Sequence, residues 1–589
     1  MLQFLKFVLA TVVGLFLFMI LSLFIVMGIA SSATSSKPVE VAANSVLKLK
    51  FDKPIVERGK DDPLSELNLP FGAPTGGIGL IQVREAIANA KLDKNIKGIY
   101  LEVDMFLNAG YASLEEIRTA LIDFKSSKKF IIAYGEVYTE KGYYLASVAD
   151  QIFLNPTGAV EFNGISSESV FLKGTFEKLD IKPEIFRVGE YKSAVEPLFR
   201  ENMSDASKEQ TLSFLNSINN YLFANISKSR NIPEAELRTI ADSLLLQEAE
   251  DALKYKFVTN LSYYDEVEAE IKKKVGLGKS EDIHFISLSK YEKAEKLIKQ
   301  GDVANRIAVI VTSGAIQSEA GGDDVISSDK IAETIRKARL DDKVKAIVLR
   351  INSPGGSALA SDIMWREVIL AKKVKPVIAS MSDVAASGGY YMAMGCNTIV
   401  AHPNTITGSI GVFGVLFNVQ DFLKNKLGIT VDGVQTNSHA NLGIPTHAMT
   451  DFERKVIQKG VEHTYLDFTT KAAQGRKMQL EALQKIASGR VWSGLEAKQN
   501  GLVDVLGGLD DAIRIAAKAA KLKDDGYRVR YLPEQKTFAE EIFNTLSDDA
   551  ETKAIEHQFG MMAPYAKAVK KLQYWQGVQA RMPFDLAIQ

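Results

Sequence analysis

"KKFIIAYGEVYTEKGYYLASVADQIFLNPTGAVEFNGI" spans Lys128–Ile165, and "KPVIASMSDVAASGGYYMAMGCNTIVAHPNTITGSIGV" spans Lys375–Val412. The two stretches align without a gap at an offset of 247 residues (375 − 128). Gly142-Tyr143-Tyr144 falls on Gly389-Tyr390-Tyr391, Pro156 on Pro403 and Gly164 on Gly411. The match extends both ways. "VREAIANAKLDKNIKGIYLEVD" from Val83 matches "IAETIRKARLDDKVKAIVLRIN" from Ile331, and "SLLLQEAEDALKYKFVTNL" from Ser243 matches "SGRVWSGLEAKQNGLVDVL" from Ser488. A repeat of this length implies two copies of one domain, at 46–300 and 301–525.

Within each copy the element type alternates. Ile307–Val311 and Ala346–Ile351 are short apolar runs, as buried parallel strands are. Between them Ile331, Ile335 and Ala338 fall at helical spacing. Val377–Ala379 and Ile399-Val400 read as further strands, with a helix beginning near Ser387. Leu212, Leu215, Ile218, Leu222 and Ile226 form one longer helical stripe, and Phe452, Val456, Ile457, Val461 and Tyr465 form its counterpart. Strand–helix alternation implies an α/β fold with a mostly parallel sheet in each copy. The C-terminal extension 526–589 has no evident counterpart, although "YRVRYLP" reads as an edge strand.

The comparison of copies also locates candidate chemistry. "AASGGYY" sets Ser387 at a strand-to-helix turn, where free helix N–H groups suit an oxyanion. Gly388 adds a backbone N–H directly after the serine, and the loop "INSPGGS" at Ile351–Ser357 offers a second donor. The first copy carries Glu140 in place of Ser387 and Lys141 in place of Gly388, and its loop "VDMFLNAG" lacks Pro-Gly-Gly. The turn is therefore duplicated while the serine is not. Ser-Gly turns are also common as plain structure. No histidine lies in a triad-like motif and no GxSxG elbow is present, so the alternative proton acceptor is a lysine. Lys192 in "VGEYKSAVEPLF" lies in a largely apolar segment, where desolvation can lower its pKa far enough to serve as a base. The competing reading is a solvated surface lysine.

Composition narrows the rest. The 589 residues are 46% apolar and 24% charged, with a net charge of −1, so bulk charge gives no reason to expect nucleic acid. The lone Cys396 rules out an intrachain disulfide, and the six scattered histidines show no HExxH spacing, so no metal site is expected. Phe7–Ala30 carries no charge and is long enough to cross a bilayer, after a short cytoplasmic segment 1–6 and before a linker 31–45. An uncleaved anchor is favoured over a signal peptide, whose apolar core is usually only about 7–15 residues. Lys6 orients the N-terminus towards the cytoplasm and both copies away from it.

"GEYKSAVEPLF", "INSPGGS", "AASGGYYMA", "TGSIGVFG" and "GRVWSGLEAKQNGLVD", in this order along the chain, together resemble the signal peptide peptidase A family in its long, two-domain bacterial form. "NSPGG" with a serine–glycine turn also resembles Clp protease subunits and the crotonase fold. The resemblance implies a tandem duplication of a crotonase/Clp-protease-like domain with an N-terminal transmembrane helix. It implies a membrane-anchored serine peptidase without metal or organic cofactor, acting on signal peptides left after signal peptidase. By this resemblance Ser387 is the nucleophile, Lys192 the general base, Ser409 the residue that orients the lysine, and Gly356 and Gly388 the oxyanion donors. It further implies a homotetramer in the bacterial inner membrane, catalytic domains on the periplasmic side, with lipid contact through residues 7–30. An extended apolar peptide with a small or apolar residue before the scissile bond is the expected substrate, held as an added strand. The rival readings are a non-catalytic membrane-tethered scaffold on the same fold and a crotonase-type acyl-CoA enzyme.

Overall fold

The computed structural model describes residues 38–59, 77–106, 108–297, 304–318, 325–523, 526–535 and 577–582, with parts of 3–21. Two all-parallel cores reproduce the duplication. The first sheet runs Asn260–Leu261, Gln151–Val160, Phe130–Tyr138, Ile96–Glu102, Ser45–Lys50, Phe285–Ser287. The second has its equivalents in the same order: Val505–Leu506, Thr398–Ala401, Val377–Ala386, Val344–Ser353, Arg306–Ser313, Arg528–Leu532. The central strands are buried almost throughout because helices lie across them, which is why their sequences are continuous apolar runs. Arg528–Leu532 is the edge strand read from "YRVRYLP". It has a structural counterpart after all, since it pairs with Arg306–Ile310 as Phe285–Ser287 pairs with Val46–Lys48. Three short residues gave the first-copy strand too little pattern to align.

Strand pairing, apolar packing and ion pairs are among the contacts that join the copies. Lys182–Val188 of the first pairs antiparallel with Val412–Asn418 of the second over seven residue pairs. Ile81 from the first copy packs into an apolar cluster with the helix Leu509–Ala519. A buried ion network crosses the boundary: Arg350 lies 2.8 Å from both Glu57 and Glu116, and Arg84 lies 3.1 Å from Glu116. Charges so deeply buried persist only when paired and hydrogen-bonded, and Ser380 and Ser382 accept further bonds from Arg350.

The long helix stripes need adjustment. In Asp205–Arg230 the inward face includes Gln210, Phe214 and Phe223 as well as Leu215, Ile218, Leu222 and Ile226, while Leu212 is exposed. In Asp451–Arg476 the stripe buries Val461 but leaves Phe452 and Val456 exposed. Periodicity identifies an apolar face without saying what covers it. Half of the transmembrane span expected at 7–30 lies outside the described residues. Those described within it are helical with exposed apolar side chains, and among the described residues no helix is long and apolar enough to cross a membrane.

Candidate active site

The strand Val377–Ala386 passes into the short helix Gly388–Ala393 through Ser387, whose φ is +53°. A non-glycine residue in that region is strained and must be held by its surroundings. Here the Ser387 N–H donates to the Gly408 carbonyl at 2.8 Å, and the Ser387 carbonyl accepts from Tyr391 N–H at 2.8 Å. The glycines that follow are required by crowding. A Cβ on Gly389 would lie 2.8 Å from the Ser353 carbonyl oxygen, and one on Gly388 would lie 2.5 Å from Ser361 Oγ. The first copy solves the same turn differently. Thr139 caps the helix Glu140–Ala146, and the Glu140 carboxylate turns to accept from Gly164 N–H at 3.1 Å. Burial pushes the Glu140 carboxyl up to about 7.

Lys192 arrives from the first copy. The paired strand Lys182–Val188 delivers the chain to Gly189, in a left-handed conformation at φ +102°, and Tyr191 N–H then donates to Ser488 O at 3.0 Å. Lys192 is fully buried. Its Nζ lies 3.0 Å from Ser387 Oγ, 3.0 Å from Ser409 Oγ and 3.2 Å from the Ser409 carbonyl oxygen. Phe413 presents its ring 6.0 Å away. Burial alone holds the amine well below the ordinary lysine value of 10.5. Ser409 follows Gly408, and both have positive φ, a pair of left-handed residues that turns the serine's two oxygens towards the amine.

Ser387, Lys192 and Ser409 thus meet within one chain, 195 and 217 residues apart from Lys192 in sequence. The loop Pro354–Ser357 lies beside them. A Cβ on Gly355, at φ +96°, would fall 2.7 Å from the Gly388 nitrogen, so glycine there keeps that N–H accessible. Gly356 is the neighbouring strand residue, paired with Ile316. Among the described residues no three His, Cys, Asp or Glu side chains are grouped as a metal site requires.

The model of peptidase family S49 matches residues 123–278 and 369–523, one segment in each copy. The chain belongs to peptidase family S49. Protease 4 of Salmonella typhi is 38% identical over 489 residues, covering 81% of this chain and 78% of that one. Protease 4 of Haemophilus influenzae is 34% identical over 572 residues, covering 92% and 91%. The chloroplastic serine protease SPPA of Arabidopsis thaliana is 35% identical over 452 residues, covering 76% and 66%. The resemblance to signal peptide peptidase A therefore holds along most of the chain, and this S49 protein is a serine peptidase.

The candidate site includes residues that sequence reading passed over. Gln210 is fully buried on the helix Asp205–Arg230. Its amide donates to Tyr191 O at 3.0 Å and Ser193 Oγ at 2.9 Å, and accepts from Val491 N–H at 3.0 Å. It ties the lysine segment of one copy to the strand Val491–Ser493 of the other. Gly489, at φ +81°, cradles Lys192: a Cβ there would lie 2.7 Å from the lysine's own Cβ. Gly411 does the same further out, 3.1 Å from Lys192 Cδ. A polar residue within an apolar helical stripe was the one signal available for Gln210.

Proposed function

We propose that Ser387 and Lys192 form a Ser–Lys dyad that hydrolyses extended apolar peptides, with remnant signal peptides as the physiological class. The observation that carries this is a fully buried lysine amine 3.0 Å from a strained serine hydroxyl. To act as the base the amine must be neutral, and these contacts accommodate that form. Its two N–H groups donate to Ser409 O and Ser409 Oγ, which leaves the lone pair for the Ser387 hydroxyl proton. A protonated amine has no lone pair and cannot accept.

In the reaction, Lys192 takes the proton as Ser387 Oγ attacks the peptide carbonyl. The N–H groups of Gly356 and Gly388 receive the oxyanion, each such donor being worth about 3–4 kcal/mol in the transition state. Protonated Lys192 gives its proton to the leaving amine. A water activated by the same amine then hydrolyses the acyl-enzyme. The test is hydrolysis of apolar fluorogenic peptides by wild type, Ser387→Ala and Lys192→Met. Equal rates from all three proteins sink the dyad.

The uncharged run at 7–30 and the single preceding Lys6 support an anchor in the bacterial inner membrane, with both copies on the periplasmic side. Internal symmetry supports a homotetramer. At the repeat offset the counterparts of the paired strands Lys182–Val188 and Val412–Asn418 are residues 429–435 and 165–171, and these do not pair with each other within the chain. Ile429, Val431, Val434 and Val170 are exposed. A second copy whose 165–171 took up 429–435 of the first would repeat the inter-copy contact between chains, and such head-to-tail contacts close into a ring where the rotation between copies closes. Val431→Asp with Val434→Asp should break the assembly in light scattering. An unchanged mass would refute this contact.

A further inference from the structure

The helix Asp205–Arg230 carries an amide into the junction where the lysine segment meets the second copy. Gln210 is fully buried there. Both N–H groups of Nε2 donate, to Tyr191 O at 3.0 Å and Ser193 Oγ at 2.9 Å, and Oε1 accepts from Val491 N–H at 3.0 Å. The two donor contacts fall on the residues either side of Lys192. The lysine's own N–H has a weaker hold, 3.4 Å from Gly189 O. The acceptor contact reaches the other partner of the dyad. Val491 pairs antiparallel with Gly408, whose carbonyl accepts the Ser387 N–H at 2.8 Å, and Ser409 N–H donates to Arg490 O at 2.7 Å. One side chain therefore fixes the lysine segment to the strand from which Ser387 and Ser409 are held.

Other walls of the lysine's seat are set by strand pairing. Phe413, whose ring lies 6.0 Å from Nζ, pairs with Arg187 on one side and with Gln579 of the C-terminal segment "GVQARM", residues 577–582, on the other. The duplication supplies the control. The helix Asp451–Arg476 has the same 26 residues at an offset of 246 (451 − 205), which puts Val456 at the place of Gln210. Val456 is exposed, and Val431–Phe452 of that copy contains no lysine. The amide is present in the copy that supplies a base and absent from the copy that does not. Burying an amide is costly unless its hydrogen bonds are made, and here they are made to the segments that hold the site.

We propose that Gln210 is a positioning residue for the dyad: by holding Tyr191 and Ser193 against Val491 it sets the reach of Lys192 Nζ to Ser387 Oγ and keeps water from the amine. This rests on the Ser387–Lys192 reading above. A displacement of about 1 Å at a reacting pair costs on the order of 100-fold in rate. Burial is what lowers the Lys192 amine, and the charged groups on the elements packed here are engaged elsewhere or exposed. Arg490 lies 2.8 Å from Glu209 and Arg187 3.8 Å from Glu196, and Asp383 accepts from Ser113 N–H at 2.8 Å. Glu190 is exposed and Arg581 partly so. A looser seat that admits water therefore returns the amine towards its ordinary value, and the rise of activity with pH moves to higher pH.

The test uses the full chain and an apolar fluorogenic peptide, with kcat and KM followed from about pH 6 to about pH 10. Gln210→Met keeps an unbranched side chain and removes all three bonds, and the milder Ser193→Ala removes one. Gln210→Met should lower kcat at least about tenfold with KM within about twofold, and its rise of kcat with pH should move up by about one unit. Ser193→Ala should act in the same direction, by about threefold and about half a unit, and its profile decides if Gln210→Met does not fold. A pH profile that stays where wild type has it in both variants, whether or not kcat falls, makes Gln210 a structural residue and overturns the proposal. Lys192→Met as active as wild type refutes the dyad and the proposal with it. Lys192→Met inactive beside Gln210→Met with the kcat of wild type overturns the proposal alone and leaves the dyad standing.

Discussion

Replacing Lys192 with methionine tests the central assumption, that the folded protein holds this amine neutral. Deprotonating a lysine of ordinary value 10.5 at pH 7 costs about 1.4 kcal/mol per pH unit, or about 5 kcal/mol over the interval. The folded state bears that cost and the unfolded chain, free to stay protonated, does not. Methionine removes the cost and fills a similar unbranched volume against Gly411 and Gly489. It forfeits three hydrogen bonds, to Ser387 Oγ, Ser409 Oγ and Ser409 O, at about 1 kcal/mol each. The variant should thus be more stable by about 2 kcal/mol at pH 7, although it loses about 10²–10⁴-fold in activity. Between the depressed folded value and 10.5 the unfolded wild type binds one more proton than the folded one. Wild-type stability must therefore rise with pH relative to the variant, by about 1.4 kcal/mol per unit. The two should reach parity near about pH 8, and by pH 9 the variant should be weaker by about 1 kcal/mol. Urea unfolding of both proteins from pH 7 to pH 9 provides the measurement. A stability difference that stays constant across this range means that Lys192 is protonated in both states, and it cannot then be the base.

Glu116→Gln leaves Arg350 and Arg84 buried without their shared carboxylate and should cost about 3–5 kcal/mol at pH 7. Burial opposes ionisation of Glu116, but Arg350 and Arg84 outweigh it and hold the carboxyl well below 4.5. Its contribution is complete above 4.5 and lost as pH falls through the folded value, so the gap between variant and wild type should narrow in acid unfolding curves. Glu140 is shifted the other way, from 4.5 to about 7, so the folded state takes up the proton first and stability falls as pH rises between these values. Glu140→Gln should therefore stabilise by up to about 3 kcal/mol above pH 7, and a thermal shift independent of pH between 4.5 and 8 would contradict the burial argument. Gly489→Ala forces a left-handed alanine against Lys192 Cβ and should lower kcat/KM at least tenfold, whereas full activity would mean the lysine has room to move.

The parts of this fold that are legible in the sequence are those whose signal is local or repeated. Buried strands announce themselves as apolar runs, and the duplication is visible because two copies kept the same turn around Gly142-Tyr143-Tyr144 and Gly389-Tyr390-Tyr391. Ser387 stands out against its twin for the same reason. What joins the halves is not local. Lys182–Val188 carries no mark that its partner is Val412–Asn418, because strand pairing is satisfied by backbone groups that every residue shares. Lys192 was legible from residues alone only as a lysine in an apolar segment, and its role came from resemblance. The segment "GVQARM" was invisible for the same physical reason, since its pairing partners lie more than 160 residues away and its own side chains show no strand period. One consequence follows for the site as a whole. Ser387 comes from one copy and Lys192 from the other, and they meet where the inter-copy strands pair and Gln210 bridges Tyr191 to Val491. Burial is what lowers the pKa of the Lys192 amine, and that burial arises where the two copies meet. On the proposed dyad reading, assembly of the two copies therefore both lowers the pKa of the base and positions it.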